Sequence, residues 1–161
     1  MVVTDDPALA DFVRQCRDYT GHKEFRVRYN YKMTDFAAAM GIVQLTKLPA
    51  FVERRRFLAS TYNSLLSESE DIDFPRIQDC TDPVYYRYVV KVHDVDLNEI
   101  RNKMLNKGIM CGNGVLQPIH RLLELPIEYY CSSERLKEEN LSLPIYPLLT
   151  EREIERIVGA L

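Results

Sequence analysis

The sequence predicts an α/β chain in two parts, helices over residues 1–67 followed by a small α/β domain over 68–161. Three observations carry this. Leu9, Phe12, Val13 and Cys16 fall at i, i+3, i+4 and i+7, the apolar face of a helix. The run VYYRYVVKV (84–92) is rich in β-branched and aromatic residues, as strands are. A capped helix and a second short strand follow it closely, which makes an α/β unit.

Taken in order, MVVT (1–4) reads as the end of a strand. Asp6 then caps a helix with Pro7 at its first position, and Gly21 closes it. The next dozen residues are charged and aperiodic, a loop. Thr34 caps a helix carrying DFAAAMGIVQLTKL, whose apolar residues cover nearly the whole circumference and so predict burial on several sides. Pro49 is expected to open a new helix with Phe51, Leu58, Tyr62, Leu65 and Leu66 as its buried stripe and Glu53 to Arg56 in solvent. The acidic stretch 68–83 with Pro75 and Pro83 is a connection. After strand 84–92, Asp96 caps a helix with Leu97, Ile100 and Met104 inward and Gly108 as its stop. IMCG (109–112) returns as a short strand. Ser132 or Ser133 caps a short helix, and Thr150 with Glu153 makes a capping box for the last one.

The bulk numbers narrow the function. The 161 residues suffice for a domain with a core, with 46% apolar and 28% charged residues and a net charge of −3. A negative balance argues against a nucleic-acid partner. No apolar run approaches the roughly 20 residues that cross a bilayer, so no membrane span is expected. Met1 runs directly into VVTDDP with no signal peptide pattern, which points to the cytoplasm. Cys16, Cys80, Cys111 and Cys131 are scattered, with no C-x-x-C pair, and read as reduced thiols rather than a metal site. The histidines His22, His93 and His120 are isolated too.

Candidate chemistry is sparse, and no Walker, Rossmann, nucleophile-elbow or zincin motif is present. Glu68, Glu70, Asp71 and Asp73 read as a solvated loop. Arg54, Arg55 and Arg56 are either an exposed helix face or an anion patch. His120, after Pro118, is either satisfied by backbone groups or placed to meet an anion or a substrate hydroxyl. The cluster YNYK (29–32) is either packed aromatics beside a turn set by Asn30 or a polar site.

Five blocks then follow one another in order: YNYKMTDFAAAMGIVQLTKL, ERRRFLASTYNSLL, YYRYVV, KGIMCGNGVLQPIH and LSLPIYPLLTEREIERIV. Together they resemble the C-terminal portion of a DegT/DnrJ/StrS-family nucleotide-sugar aminotransferase, over essentially the whole chain. The resemblance implies a fold-type-I pyridoxal phosphate (PLP) enzyme that turns a nucleotide-linked keto-sugar into an amino-sugar. It also implies a dimer in which one subunit's N-Y-[RK]-M-[TS]-D loop reaches the phosphate held by the other. By that resemblance Asn30 donates to the PLP phosphate, Lys32 supports the same anion, and Tyr29 and Tyr31 wall the pocket. His120 matches the family's P-x-H element near the substrate.

The resemblance also implies a gap. In the family the Schiff-base lysine stands shortly before a segment like GEGGMVVTDD, and this sequence starts at MVVTDD. The lysine, the aspartate that pairs with the pyridine nitrogen, and the large-domain sheet would lie upstream. None of Lys23, Lys32, Lys47, Lys91, Lys103, Lys107 and Lys137 has that context, so no catalytic residue is assigned and no PLP is expected on this chain alone. The helices of the first part would expose faces meant for the absent sheet, which predicts self-association or a partner chain carrying the other half. Two functions stay open: the C-terminal fragment or subunit of an aminotransferase, inactive alone, or a non-catalytic dimerisation or regulatory module on the same fold.

Overall fold

The computed structural model describes residues 2–21, 23–93, 95–114 and 116–161. His22 lies outside them. The chain forms two compact units, Met1–Lys47 and Leu48–Leu161.

In the first unit, α1 (Pro7–Arg17) starts as its sequence dictates. Asp6 Oδ1 accepts from the amides of Ala8 and Leu9 at 2.8 and 3.3 Å, and Pro7 stands where an amide hydrogen would have no helical partner. The helix ends at Arg17, and Gly21 follows with φ +76°. The extended segment through Tyr29 and Tyr31 takes up two of its last carbonyls: Tyr29 N donates to Cys16 O (2.7 Å) and Tyr31 N to Arg17 O (3.0 Å). The strand end expected before Asp6 is not formed over residues 2–4, where no neighbouring strand supplies backbone partners.

Helix α2 (Asp35–Leu66) is capped by Thr34, whose hydroxyl accepts from Ala37 N at 3.2 Å. It runs straight past the expected break, with Pro49 inside it. The proline forfeits one hydrogen bond to the carbonyl four residues back, but its fixed φ suits a helix, and good helix formers on both sides carry the turn. The burial expected around residues 35–47 is absent: Phe36 is 77% and Ile42 66% exposed. By length and composition α2 is apolar enough to cross a bilayer, which no run-length count had indicated. Its later turns carry three arginines, and Leu58, Ala59, Tyr62 and Leu66 there are buried in the core with the sheet.

The second unit holds that later part of α2, from Leu48 on, against a four-stranded sheet. Leu58, Ala59, Tyr62 and Leu66 are buried; Leu65, expected with them, is exposed and Phe51 is only partly covered. The strands are β1 (Ile72–Asp73), β2 (Tyr88–Val92), β3 (Gly112–Asn113) and β4 (Asn140–Leu143), in the order β1-β2-β4-β3 with every neighbouring pair antiparallel. The expected strand–helix–strand unit is therefore split. β2 and β3 run parallel, joined through α3 (Leu97–Asn106), but β4 lies between them. β4, NLSL, and β1, inside the stretch 68–83 expected to be a connection, are strands that the sequence pattern does not predict. Three helices complete the unit: α4 (Ile119–Leu122), α5 (Cys131–Glu139) after a 3-10 turn over Ile127–Tyr130, and α6 (Glu151–Val158).

Its caps and core follow local chemistry. Asp96 caps α3, whose Leu97, Ile100 and Met104 are buried and which gives way to Gly108 at φ +75°. Thr150 and Glu153 form a reciprocal capping box on α6. Neither Ser132 nor Ser133 caps α5, because the chain enters it already wound in the 3-10 turn. Strand β2 starts only at Tyr88; Tyr85, at φ +45°, cannot continue a ladder. In the core, Tyr62 and Tyr88 stack at 4.6 Å. Their hydroxyls donate to Pro144 O (2.9 Å) and Asn63 Oδ1 (2.6 Å). Burial pushes both phenols above their usual range. It also raises the Cys111 thiol to about 11, which keeps it an inert core group. The unit boundary at Lys47/Leu48 precedes the 67/68 boundary drawn from sequence, because α2 contributes four residues to the sheet's core.

Candidate functional site

The YNYK cluster is presented, not packed. Tyr29 and Tyr31 share one side of the extended segment and stack at 4.9 Å with rings 6° from parallel. They are 47% and 71% exposed, so core packing does not account for them. Alternation along the segment turns Asn30 the other way. Asn30 is exposed, and its side chain makes no hydrogen bond among the described residues. Lys32 is engaged: its ammonium lies 2.8 Å from Asp18 Oδ2 and 3.4 Å from Thr20 Oγ1. Asp18 is held well below the ordinary carboxylate range, first by Lys32 and then by Thr20. Of the two residues expected at the phosphate, Asn30 is exposed with no side-chain partner among the described residues, whereas Lys32 is held by Asp18.

His120 belongs to the second unit. Pro118 precedes it in extended conformation and turns the chain into α4. The ring is 4% exposed, stacked on Tyr130 at 4.5 Å, with Nε2 2.7 Å from Glu134 Oε1. Arg121 Nε donates to the same oxygen at 2.7 Å, and Arg121 Nη2 to Oε2. This pairing, helped by His120, lowers the Glu134 carboxyl to about 2. A largely apolar cleft of about 430 Å³ opens beside the ring, lined by Ile119, Leu123, Leu125, Tyr130 and Leu136. Of the alternatives left open for His120, satisfaction by backbone groups alone is wrong, since its partner is a carboxylate. Sequence reasoning missed Arg121, Tyr130 and Glu134. Only the order of an acidic residue after an aromatic pair hints at them, and the 3-10 turn that brings them together has no periodic signature.

The three arginines are neither an anion patch nor a solvent face. Arg54 Nη2 donates to Leu149 O at 2.8 Å. Arg55 Nη1 reaches Tyr85 O, Tyr86 O and Ile145 O. Arg56 holds Pro83 O at 3.0 Å and Asp82 at 2.6 Å. They tie down chain segments that lack ladder partners, which spacing along a helix does not reveal. Among the described residues no three His, Cys, Asp or Glu side chains come together as metal ligands, and all four cysteines are free.

The seven lysines sit in different surroundings. A Schiff-base lysine must lose its proton beside the cofactor, which exposure and an anionic neighbour oppose. Lys32 and Lys91 pair with Asp18 and Glu139, Lys103 and Lys107 bind carbonyls at the chain's end, Lys23 and Lys47 are exposed, and Lys137 is half-buried. None of them is buried, so none of these described side chains meets that condition.

Residues 1–161 match the DegT/DnrJ/EryC1/StrS aminotransferase family. The erythromycin biosynthesis sensory transduction protein EryC1 of Saccharopolyspora erythraea is 28% identical over 99% of this chain and 45% of its own length. The dTDP-4-dehydro-2,3,6-trideoxy-D-glucose 4-aminotransferase of Saccharopolyspora spinosa is 31% identical over 76% of this chain and 32% of its own. Among solved structures, Streptomyces venezuelae DesV superposes with a TM-score of 0.85 at 28% identity, over 98% of this chain and 44% of DesV. The aminotransferase TlmJ of Streptoalloteichus hindustanus gives 0.85 at 26% over 97% and 44%. The chain thus spans less than half the length of the relatives it matches. With the match running from its first residue to its last and the fold shared with sugar aminotransferases, the chain belongs to the DegT/DnrJ/EryC1/StrS aminotransferase family.

Proposed function

We propose that this chain acts as the C-terminal fragment or subunit of a cytoplasmic PLP-dependent aminotransferase that makes an amino-sugar from a nucleotide-linked keto-sugar. The observation that supports it most is the exposed Asn30 between stacked Tyr29 and Tyr31, in a chain that aligns with DesV over 98% of its length. PLP, when bound, supplies the electron sink for moving an amino group. This chain's part is to bind and orient. Asn30 donates a hydrogen bond to the phosphate, Lys32 adds positive charge once it leaves Asp18, and Tyr29 and Tyr31 wall the pocket. His120 meets the sugar. The Schiff-base lysine comes from another polypeptide or another part of the protein, and the chain alone is inactive.

Those roles need a second body, and the uncovered apolar residues of α2 supply a surface for one. The test is complementation. Co-expression with the stretch of a relative that this chain does not cover should give a complex that retains PLP and aminates a dTDP-linked keto-sugar. A complex that forms but neither holds PLP nor turns over the sugar would sink the proposal. A second reading, a non-catalytic dimerisation or regulatory module, draws on the lysine environments. It also draws on two relatives named for regulation, EryC1 and a pleiotropic regulatory protein of Geobacillus stearothermophilus. It predicts a complex without PLP.

A further inference from the structure

Among the described residues, His120 is hydrogen-bonded through one ring nitrogen, Nε2. Its Nε2 is 2.7 Å from Glu134 Oε1, and its ring lies flat against Tyr130, 7° from parallel. Glu134, with a side chain 12% exposed, sits in the first turn of α5, where the helix dipole favours negative charge. Both of its oxygens accept from Arg121. A carboxylate so paired is ionised at neutral pH and has no hydrogen to give. The proton in the His120–Glu134 bond therefore sits on Nε2. That leaves Nδ1, which bonds to no described residue, as an acceptor when the ring is neutral and a donor when it is charged. The charged groups around the ring are Glu134 from α5 and Arg121 from α4, with Glu138 acting on Arg121 from further along α5.

We infer that Glu134 is a positioning residue for His120. Braced by Arg121, it fixes the ring as the Nε2–H tautomer, so that Nδ1 is the atom left for the sugar. The inference rests on the sugar-facing role proposed for His120, but its test does not. A purely structural tie between α4 and α5 would need the ion pair of Arg121 and Glu134 and would be indifferent to the tautomer.

The experiment is a long-range ¹H–¹⁵N correlation spectrum of the ¹⁵N-labelled full chain at neutral pH, with His120 assigned by its loss in His120→Gln. The expected result is one tautomer with Nε2 protonated and a resolved Nε2 proton protected from exchange. In Glu134→Gln, whose amide both donates and accepts, the second tautomer should appear and the protected proton should be lost. A wild-type ring in the Nδ1–H form, or averaging between tautomers, overturns the inference however the variant folds. So does a folded Glu134→Gln variant with an unchanged His120 spectrum. Failure of the sugar role would show instead in His120→Ala kinetics of the complemented enzyme, with the tautomer still locked.

Discussion

Arg55 Nη1 donates to the carbonyl of Ile145, 2.8 Å away and 90 positions along the chain. The same nitrogen lies 3.0 and 3.2 Å from the carbonyls of Tyr85 and Tyr86. One guanidinium thus joins the approach to β2 with the exit from β4. Those carbonyls belong to segments outside the sheet ladder, and leaving them unpaired is costly. Arg55→Ala should destabilise the folded chain by about 2 kcal/mol, the range of a hydrogen bond to a charged group. Arg55→Lys should recover only part, since an ammonium lacks the planar fork. Urea unfolding checks both; a loss under about 0.5 kcal/mol, typical of surface substitutions, would mean the clasp is idle.

Glu134 predicts an acid-sensitive term in stability. Arg121, and secondarily His120, lower its carboxyl from the ordinary 4.5 to about 2. A group depressed on folding stabilises above its unfolded pKa and loses that contribution as pH falls through its folded one. The term should be whole above pH 4.5 and vanish toward pH 2. Unfolding midpoints of wild type and Glu134→Gln should therefore converge across that window as the solution is acidified. A difference that stays constant with pH would show that Glu134 acts without its charge. Asp18 and Glu153 are lowered as well, but they are common to both proteins and cancel in the comparison.

The first half of α2 should drive association. Phe36, Met40, Ile42, Val43 and Leu45 are all at least half exposed, a larger apolar run than a lone soluble chain ordinarily shows. Sedimentation at micromolar concentration should give a dimer or larger species, and Ile42→Glu should shift it toward monomer. A wild-type monomer that binds no hydrophobic dye would contradict this.

Local chemistry was legible in the sequence; tertiary pairing was not. The caps at Asp6, Thr34, Asp96 and Thr150 stand where a side-chain oxygen meets free amides, and each can be read from a few neighbouring residues. Pro49 misled because propensity is weaker than the helix on either side of it. β4 escaped because NLSL is short and polar at alternate positions, and its strand character comes from β2 and β3 on its flanks. The arginines at 54–56 bind partners up to 95 positions distant, which no helical pattern encodes. At the candidate site, the identity of Asn30 and His120 came from ordered sequence blocks. The Asp18 restraint on Lys32 and the Glu134 restraint on His120 came only from the fold.

Two substitutions should separate cofactor from substrate in the complemented enzyme. Asn30→Ala removes one charge-assisted hydrogen bond, worth about 1.5–3 kcal/mol, so PLP affinity should fall roughly 10- to 100-fold. His120→Ala should keep PLP and lower turnover of the keto-sugar. If neither PLP affinity nor sugar kinetics changes, YNYK and His120 have structural roles alone.

On the proposed function, this chain contributes to a PLP site without forming one. An absorbance titration with PLP tests it most directly, run on the chain alone and on its complex with the stretch of a relative that it does not cover. The chain alone should give no saturable band, and the complex a stoichiometric one. A stoichiometric band on the chain alone, fixed by borohydride onto one of its seven lysines, would contradict it.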